Sequence, residues 1–150
     1  MEDPRVSCAQ LIYRYAELID LGDFEGVGEL LDDAEVTVDT GDYVSRGRDQ
    51  VLEMYTGTTR RYPDDGTPKT KHVMSNVMVD LDGPSAAHSR SYFTVFQAVP
   101  GHLALQPIVA GRYRHRFELR EQGWRIVGKH IIVDLTGELA HHLLITIPGA

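Results

Sequence analysis

The sequence is poor in cysteine and in basic charge. Cys8 is the single cysteine among 150 residues, so an internal disulfide is impossible and no cysteine pair is present to hold zinc. Lysine and arginine together number 15, against 22 aspartates and glutamates, which gives a formal net charge of −7. That charge has the wrong sign for binding nucleic acid or an anionic membrane surface. We therefore expect neither partner.

The sequence also has no long apolar run. The start, Met1-Glu2-Asp3-Pro4, has neither the basic region nor the apolar region of a secretory signal. The uninterrupted apolar stretches are only a few residues long, against the ~20 that a membrane-spanning helix requires. Together with the single cysteine, these features predict a cytoplasmic protein.

The motifs of several enzyme classes are missing. There is no GxSxG, no phosphate-binding glycine loop and no dinucleotide-binding fingerprint, so the sequence does not support a serine hydrolase, a kinase or an NAD enzyme. Seven histidines are present, but no HxxxH or HxH pair occurs beside a carboxylate. The side chains of the adjacent His141 and His142 would diverge on either a helix or a strand. We expect no metal and no cofactor.

Hydrophobic residues make up 42% of the chain. A chain of this length can bury one core and still enclose a cavity, whereas two separate cores would each be small. We predict a single domain over residues 1–150, with its core between about residues 5 and 145.

Helical patterns come first along the chain and strand patterns follow. Apolar spacing predicts a helix from Val6 to Leu21 and two shorter helices, Phe24 to Leu31 and Asp49 to Tyr55. Residues 35–45 alternate like a hairpin. After a loop, four alternating runs separated by short turns predict an antiparallel meander: residues 71–81, 86–99, 103–120 and 124–135. This order predicts an α+β fold with the helices packed on one face of a strongly curved sheet.

The alternation within each strand also predicts which side chains share a face. In the first long strand one face is apolar and is predicted to be buried in the core: Val73, Val77, Val79 and Leu81. The other face mixes polar and soft apolar groups and suits a ligand pocket: His72, Met74, Asn76 and Met78. In the last strand the same alternation predicts that His130 faces apolar neighbours. The arginines at 112, 114 and 116 are predicted to face solvent or another subunit.

Two residues are candidates for proton chemistry. Histidine is suited to moving protons near neutral pH, so His72 on the mixed face is one candidate, although a histidine bonded at a sheet edge would show the same pattern. Asp20 lies off the apolar stripe, at the end of the first helix, where a carboxylate is mildly unfavourable. Its position is typical of a solvated residue, but an acid retained there could serve another purpose.

The whole pattern resembles a SnoaL-like member of the NTF2-like superfamily. Six short segments carry the resemblance: Tyr15–Phe24, Asp33-Ala34, Gly47-Arg48, His72–Asn76, Gly111–Tyr113 and Gly123–Ile126. The resemblance implies a cone-shaped α+β barrel with three N-terminal helices against a mixed, mostly antiparallel sheet. It also implies a deep pocket, and a homodimer formed through the outer face of the sheet.

The resemblance also implies a chemistry. Scytalone dehydratase, bile-acid 7α-dehydratase and hexachlorocyclohexane dehydrochlorinase pair an aspartate of the first helix with a histidine of the first long strand, and Asp20 and His72 match them. Tyr15 matches a tyrosine of the bile-acid enzyme. This implies a cofactor-independent lyase or isomerase acting on a small hydrophobic cyclic carbonyl or hydroxy compound. His72 would be the base, Asp20 would orient it, and Tyr15 would donate a hydrogen bond. Six more residues are expected to contact the substrate: Tyr55, Met74, Asn76, Phe96, Tyr113 and Trp124.

Departures from those enzymes leave alternatives open. Phe96 stands near the second pocket histidine of scytalone dehydratase, and Ile19 replaces the tyrosine before its aspartate. Arg120 aligns with the dehydrochlorinase arginine but is predicted to lie outside. Asp39 lies near the base of steroid isomerase-like members, which would indicate an isomerase or polyketide cyclase. A non-catalytic binding or accessory module is the third possibility, because a fold does not fix a function.

Overall fold

The computed structural model describes residues 1–149, which form three helices and one sheet of six strands. The helices are α1 (Pro4–Asp20), α2 (Phe24–Leu30) and α3 (Gly47–Thr58). The strands are β1 (Glu35–Val38), β2 (Val44–Arg46), β3 (Thr70–Leu81), β4 (Ala86–Val99), β5 (Leu103–Arg120) and β6 (Gly123–Thr136). Each predicted helix and strand is present, with its ends shifted by a few residues at most. None of these helices is long and apolar enough to cross a membrane.

The sheet is mixed, in the order β2-β1-β6-β5-β4-β3. Strands β3 to β6 form the predicted antiparallel meander. The short strand β1 is parallel to β6, with which it pairs on one side, and antiparallel to β2, with which it pairs on the other. Helix α1 packs across β3 and β6, so the helices cover one face of the curved sheet. The predicted α+β architecture is confirmed.

Local signals fix both ends of α1. Asp3 caps the helix by accepting a hydrogen bond from the Arg5 backbone N–H, and Pro4 occupies the first turn. Beyond the last residue, Asp20, Gly22 has φ +73°, and a Cβ there would lie 2.1 Å from the Gly66 carbonyl oxygen. Only glycine fits this close approach. The contact holds the end of α1 against the loop that leads into β3.

The core lies between α1, α2 and the inner face of the sheet. Cys8, Ile12 and Ile19 of α1 are almost fully buried in it, and an apolar side chain buried in this way contributes about 1.5–3 kcal/mol. Burial raises the pKa of the Cys8 thiol to about 11. Cys8 is therefore a core side chain and not a nucleophile at neutral pH.

The face prediction for β3 is wrong at Val73, Asn76 and Met78, which are exposed, whereas Val77, Val79 and Leu81 pack against the core as predicted. Pairing with β4 shifts register between Ser75 and Met78, and Asn76 adopts φ +52°, which marks a β-bulge with an extra residue. His72 faces inward before the bulge, and Val77 takes over that face after it. Val73, predicted to be buried, is 44% exposed. The pocket face therefore ends before Asn76.

A second bulge reverses the prediction for β6. Gly128 pairs with Arg116 while Ile126 pairs with Phe117, so Val127 is the extra residue. Lys129 consequently points inward and is 1% exposed. His130, which was predicted to face the core, lies on the opposite face, with its Nδ1 2.7 Å from Thr37 Oγ1. The arginines of β5 lie on the outer face of the sheet and alternate along the strand with buried, inward-facing residues, as predicted.

Candidate active site

A cavity of about 920 Å³ lies between α1, α3, the inner face of the sheet and the segment that follows β6. Apolar side chains such as Ile19, Val95 and Ile131 form much of its wall. A few polar groups converge on it, and they include Tyr15, Tyr55, His72, Tyr113 and His142. A largely apolar cavity with a few converging polar groups is typical of a small-molecule site.

His72 and Asp20 form a hydrogen-bonded pair at this wall. His72 Nδ1 lies 2.7 Å from Asp20 Oδ1, and the His72 backbone N–H donates to Asp20 Oδ2 at 2.8 Å. The Thr70 hydroxyl donates to Oδ1 at 2.9 Å. The two side chains are only 6% and 10% exposed. Three hydrogen bonds from the first residues of β3 therefore hold a carboxylate that the helical pattern placed in solvent.

These contacts fix the protonation of the pair. Burial alone would raise the pKa of Asp20, but the hydrogen bonds and charge of His72 and the bond from Thr70 outweigh it and lower that pKa. An ionised Asp20 accepts from Nδ1–H, so the neutral ring of His72 carries its lone pair on Nε2. Within residues 1–149, Nε2 has no hydrogen-bond partner. Nε2 is thus available to take a proton.

Tyr15 presents a hydroxyl to the same cavity. The Tyr55 hydroxyl donates to the Tyr15 oxygen at 2.9 Å, so the Tyr15 proton is not used by Tyr55 and can be directed to Tyr113 or to a ligand. The Tyr15 ring meets His72 and Tyr113 edge to face, with centroids 6.2 and 6.0 Å apart. Burial raises the pKa of all three tyrosines well above the usual value. They therefore stay protonated and can act as donors.

Lys129 lies behind the tyrosines. Its Nζ is 3.6 Å from the ring centroids of both Tyr15 and Tyr113 and 3.5 Å from His115 Nε2. Burial lowers the pKa of Lys129 well below its usual value, and burial together with the Lys129 charge does the same to His115. The bulge at Val127 turns Lys129 inward, so strict alternation along β6 could not have identified it.

His142 is the second residue that the strand pattern missed. It comes from the segment after β6, is 6% exposed, and its ring centroid lies 6.2 Å from that of His72. The Arg60 backbone N–H donates to the His142 carbonyl at 2.8 Å and holds the segment in place. The neighbouring His141 turns the other way, toward His102, so the predicted divergence of the two side chains is confirmed.

The structure brings together all three predicted catalytic residues and two of the six predicted substrate contacts. Tyr15, Tyr55, His72 and Tyr113 line the cavity, and Asp20 lies directly behind His72. Ile19 also lines it. Arg120 pairs with Glu118 on the exposed surface, as the alternation predicted.

Four predicted substrate contacts do not line the cavity, each for a structural reason. Met74 packs into the core, and Asn76 lies exposed in the β3 bulge. Phe96 falls on the outer face of β4, because it alternates with the inward Val95. Trp124 lies at the start of β6, next to the β5–β6 turn.

The alternative base, Asp39, also faces away from the cavity. Its neighbours Val38 and Thr40 line the wall, whereas Asp39 is exposed and accepts a hydrogen bond from the Val133 backbone N–H at 3.1 Å. Among the residues that the structure describes, no group of three or more His, Cys, Asp or Glu side chains is arranged to hold a metal ion.

Several solved structures are similar to this one. An NTF2-like protein with a cystatin-like fold from Novosphingobium aromaticivorans is 27% identical, with a TM-score of 0.69 over 88% of this chain and 82% of that one. A candidate scytalone dehydratase from the same organism is 19% identical, with a TM-score of 0.69 over 87% and 83% of the two chains. The β subunit of a candidate aromatic-ring-hydroxylating dioxygenase, again from that organism, is 15% identical, with a TM-score of 0.68 over 94% and 96%.

Comparison with curated protein sequences finds no match. The model of the SnoaL-like domain, in contrast, matches residues 3–130. Since this match spans most of the sequence and the fold is shared with an NTF2-like protein, the chain belongs to the SnoaL-like domain family.

Proposed function

We propose that this protein is a cofactor-independent lyase of the dehydratase type, or an isomerase, acting on a small hydrophobic cyclic compound with carbonyl and hydroxyl groups. One observation carries the proposal: the Asp20–His72 pair leaves Nε2 of His72 without a hydrogen-bond partner among residues 1–149, at the wall of a largely apolar cavity. A base needs to be within reach of the proton that it abstracts, and the apolar wall favours a ring compound next to it.

The proposed reaction begins with the removal of a proton from a carbon atom of the substrate. His72 Nε2 takes a proton from the carbon next to the carbonyl group, and Asp20 stabilises the imidazolium that forms. Tyr15 donates a hydrogen bond to the carbonyl oxygen as negative charge develops there. In an elimination, the enolate electrons expel a β-hydroxyl group, which takes the proton from His72 and leaves as water. In an isomerisation, His72 returns the proton to a different carbon.

A second function is a non-catalytic accessory or ligand-binding module. The similarity in fold to a dioxygenase β subunit over nearly the full length of both chains favours it. The similarity to a candidate scytalone dehydratase agrees instead with elimination chemistry. An assay of proton abstraction separates the two functions.

The test uses 2-tetralone, a two-ring ketone with exchangeable protons next to its carbonyl. In D₂O buffer, we expect the protein to accelerate the incorporation of deuterium at the carbons next to the carbonyl, which NMR measures. His72→Ala should slow this exchange by about 10²–10⁴-fold. His88→Ala is the matched control, because His88 Nδ1 also lies 2.7 Å from a carboxylate, Asp82, but on the exposed surface. A wild-type exchange rate in His72→Ala would show that His72 is not the base. Binding of 2-tetralone without exchange would favour the accessory module.

We also propose a cytoplasmic homodimer formed through the outer face of the sheet. Val73, Met78 and Tyr92 are about half exposed on neighbouring positions of β3 and β4, and apolar side chains grouped in this way favour contact with another surface. Sedimentation equilibrium should give twice the chain mass, and Tyr92→Glu should shift the protein toward monomer. A wild-type monomer at all concentrations would contradict the proposal.

A further inference from the structure

His142 has unsatisfied hydrogen-bonding capacity beside the proposed base. Its Nδ1 is buried and has no partner within the described part of the chain. Its Nε2 also makes no hydrogen bond there but is not among the fully buried unpartnered atoms, and the residue lines the cavity. Nε2 is therefore the edge of the ring that reaches the cavity.

We propose that His142 is a second substrate-binding residue, which donates a hydrogen bond from Nε2 to the carbonyl oxygen of the substrate and stabilises the enolate that forms there. This inference rests on the function proposed above and adds a donor to it. Tyr15 and His142 each have their ring centroid 6.2 Å from that of His72. Two donors thus lie at the same distance from the base, and two donors on one oxygen stabilise developing charge better than one.

The protonation of His142 supports a donor and not a second base. Burial, and then the charge of His72, lower the pKa of His142 to about 4, so its ring is neutral at neutral pH and carries one proton. A proton on the buried Nδ1 would have no acceptor, and buried N–H groups without a partner are rare in proteins. A proton on Nε2 can instead be donated into the cavity.

The backbone that carries the His142 ring is held in place on both sides. Besides the bond from Arg60, the His142 N–H donates to the Leu139 carbonyl at 3.0 Å, and the Leu144 N–H donates to the Thr58 carbonyl at 2.9 Å. Thr59 forms an isolated bridge with Leu143. These contacts anchor both sides of His142 on the end of α3, so the donor does not have to be ordered when a ligand binds.

The experiment compares the binding of 2-tetralone with that of tetralin, the hydrocarbon that has the same two rings but no carbonyl oxygen. Equilibrium dialysis gives both dissociation constants for the wild-type protein and for His142→Phe, His142→Gln and His141→Phe. We expect His142→Phe to weaken 2-tetralone binding by about 2- to 10-fold, as for one hydrogen bond, and to leave tetralin binding unchanged. His142→Gln keeps an amide donor and should retain most of the preference. His141→Phe, the control, should behave like the wild type.

Two further readouts keep the test decisive. In wild-type protein with ¹⁵N-labelled histidine, 2-tetralone should shift the Nε2–H signal of His142 and tetralin should not, which requires no folded variant. In the exchange assay His142→Phe should lower kcat more than it changes KM, because the bond strengthens as charge develops. An unchanged ketone preference in His142→Phe, an equal loss in His141→Phe, or an unmoved Nε2–H signal would overturn the inference. If His72→Ala exchanged normally, the proposed base would fail, while the ketone preference would still test His142.

Discussion

Asp20→Asn should remove activity and leave the fold nearly as stable as before. The reason lies in the three donors around the carboxylate. The His72 backbone N–H can only donate, so the amide oxygen of an asparagine must take the place of Oδ2, where that bond measures 2.8 Å. The amide NH₂ then occupies the place of Oδ1, facing the Thr70 hydroxyl and His72 Nδ1.

Both of these partners can accept from the amide. The Thr70 hydroxyl can reverse its direction, and His72 Nδ1 can accept if the ring proton moves to Nε2. No hydrogen bond is lost, so we expect the free energy of unfolding to change by less than ~1 kcal/mol. The moved proton blocks Nε2, and the charge that stabilised the imidazolium is gone. A loss of general base catalysis of about 10²–10⁴-fold corresponds to about 3–5 kcal/mol of transition-state stabilisation.

The measurements are urea unfolding, deuterium exchange into 2-tetralone, and ¹⁵N spectra that assign the proton of His72 to Nδ1 or Nε2. The prediction requires a small stability change, a large rate loss and a switch of the His72 tautomer in the same variant. The reasoning would be refuted if Asp20→Asn exchanged deuterium into 2-tetralone at the wild-type rate. It would also be refuted if the neutral His72 ring of this variant kept its proton on Nδ1.

Three more predictions follow from the same surroundings. Tyr15→Phe should slow exchange by about 10²–10³-fold, as for loss of one oxyanion donor, while Tyr13→Phe, on the exposed side of α1, should not; equal rates for both would exclude the Tyr15 hydroxyl. Lys129→Met should flatten the pH dependence of stability in the alkaline range. Burial depresses the Lys129 pKa, so the wild type loses stability as pH falls below about 10.4, the unfolded value, and urea unfolding at several pH values checks the slope. The His142 pKa is also depressed, from 6.5 to about 4. As the pH falls through this range, the free energy of unfolding of the wild type should therefore decrease by about 3 kcal/mol. His142→Phe should lose this dependence, and an unchanged acid profile in the variant would contradict it.

The helices and strands could be predicted from the sequence because each has a regular hydrophobic period. The side-chain faces could not be followed along a whole strand, because a single extra residue reverses them. Asn76 supplies that residue in β3, and Val127 supplies it in β6. His72 comes before the first bulge and was placed correctly, whereas His130 follows the second and was placed on the wrong face.

The site was only partly visible in the sequence for a different reason. Asp20 lies off the apolar stripe of α1, and local periodicity has no means of showing that Thr70 and the His72 backbone, some 50 residues away, satisfy its carboxylate. The resemblance to known enzymes identified this pair. It could not identify His142, which comes from a segment that has neither a helical nor an alternating pattern.

The segment after β6 makes the occupancy of the cavity measurable without knowledge of the ligand. His142, Leu143 and Ile145 form part of the wall, so a ligand touches the strands and this segment at the same time. By thermodynamic linkage, a ligand that contacts the segment only in its folded position stabilises that position against local opening of its backbone hydrogen bonds. Amide hydrogen exchange across residues 142–147 should therefore slow when the cavity fills. A screen of cyclic ketones and alcohols can be read from those few amides, whichever compound proves to be the substrate.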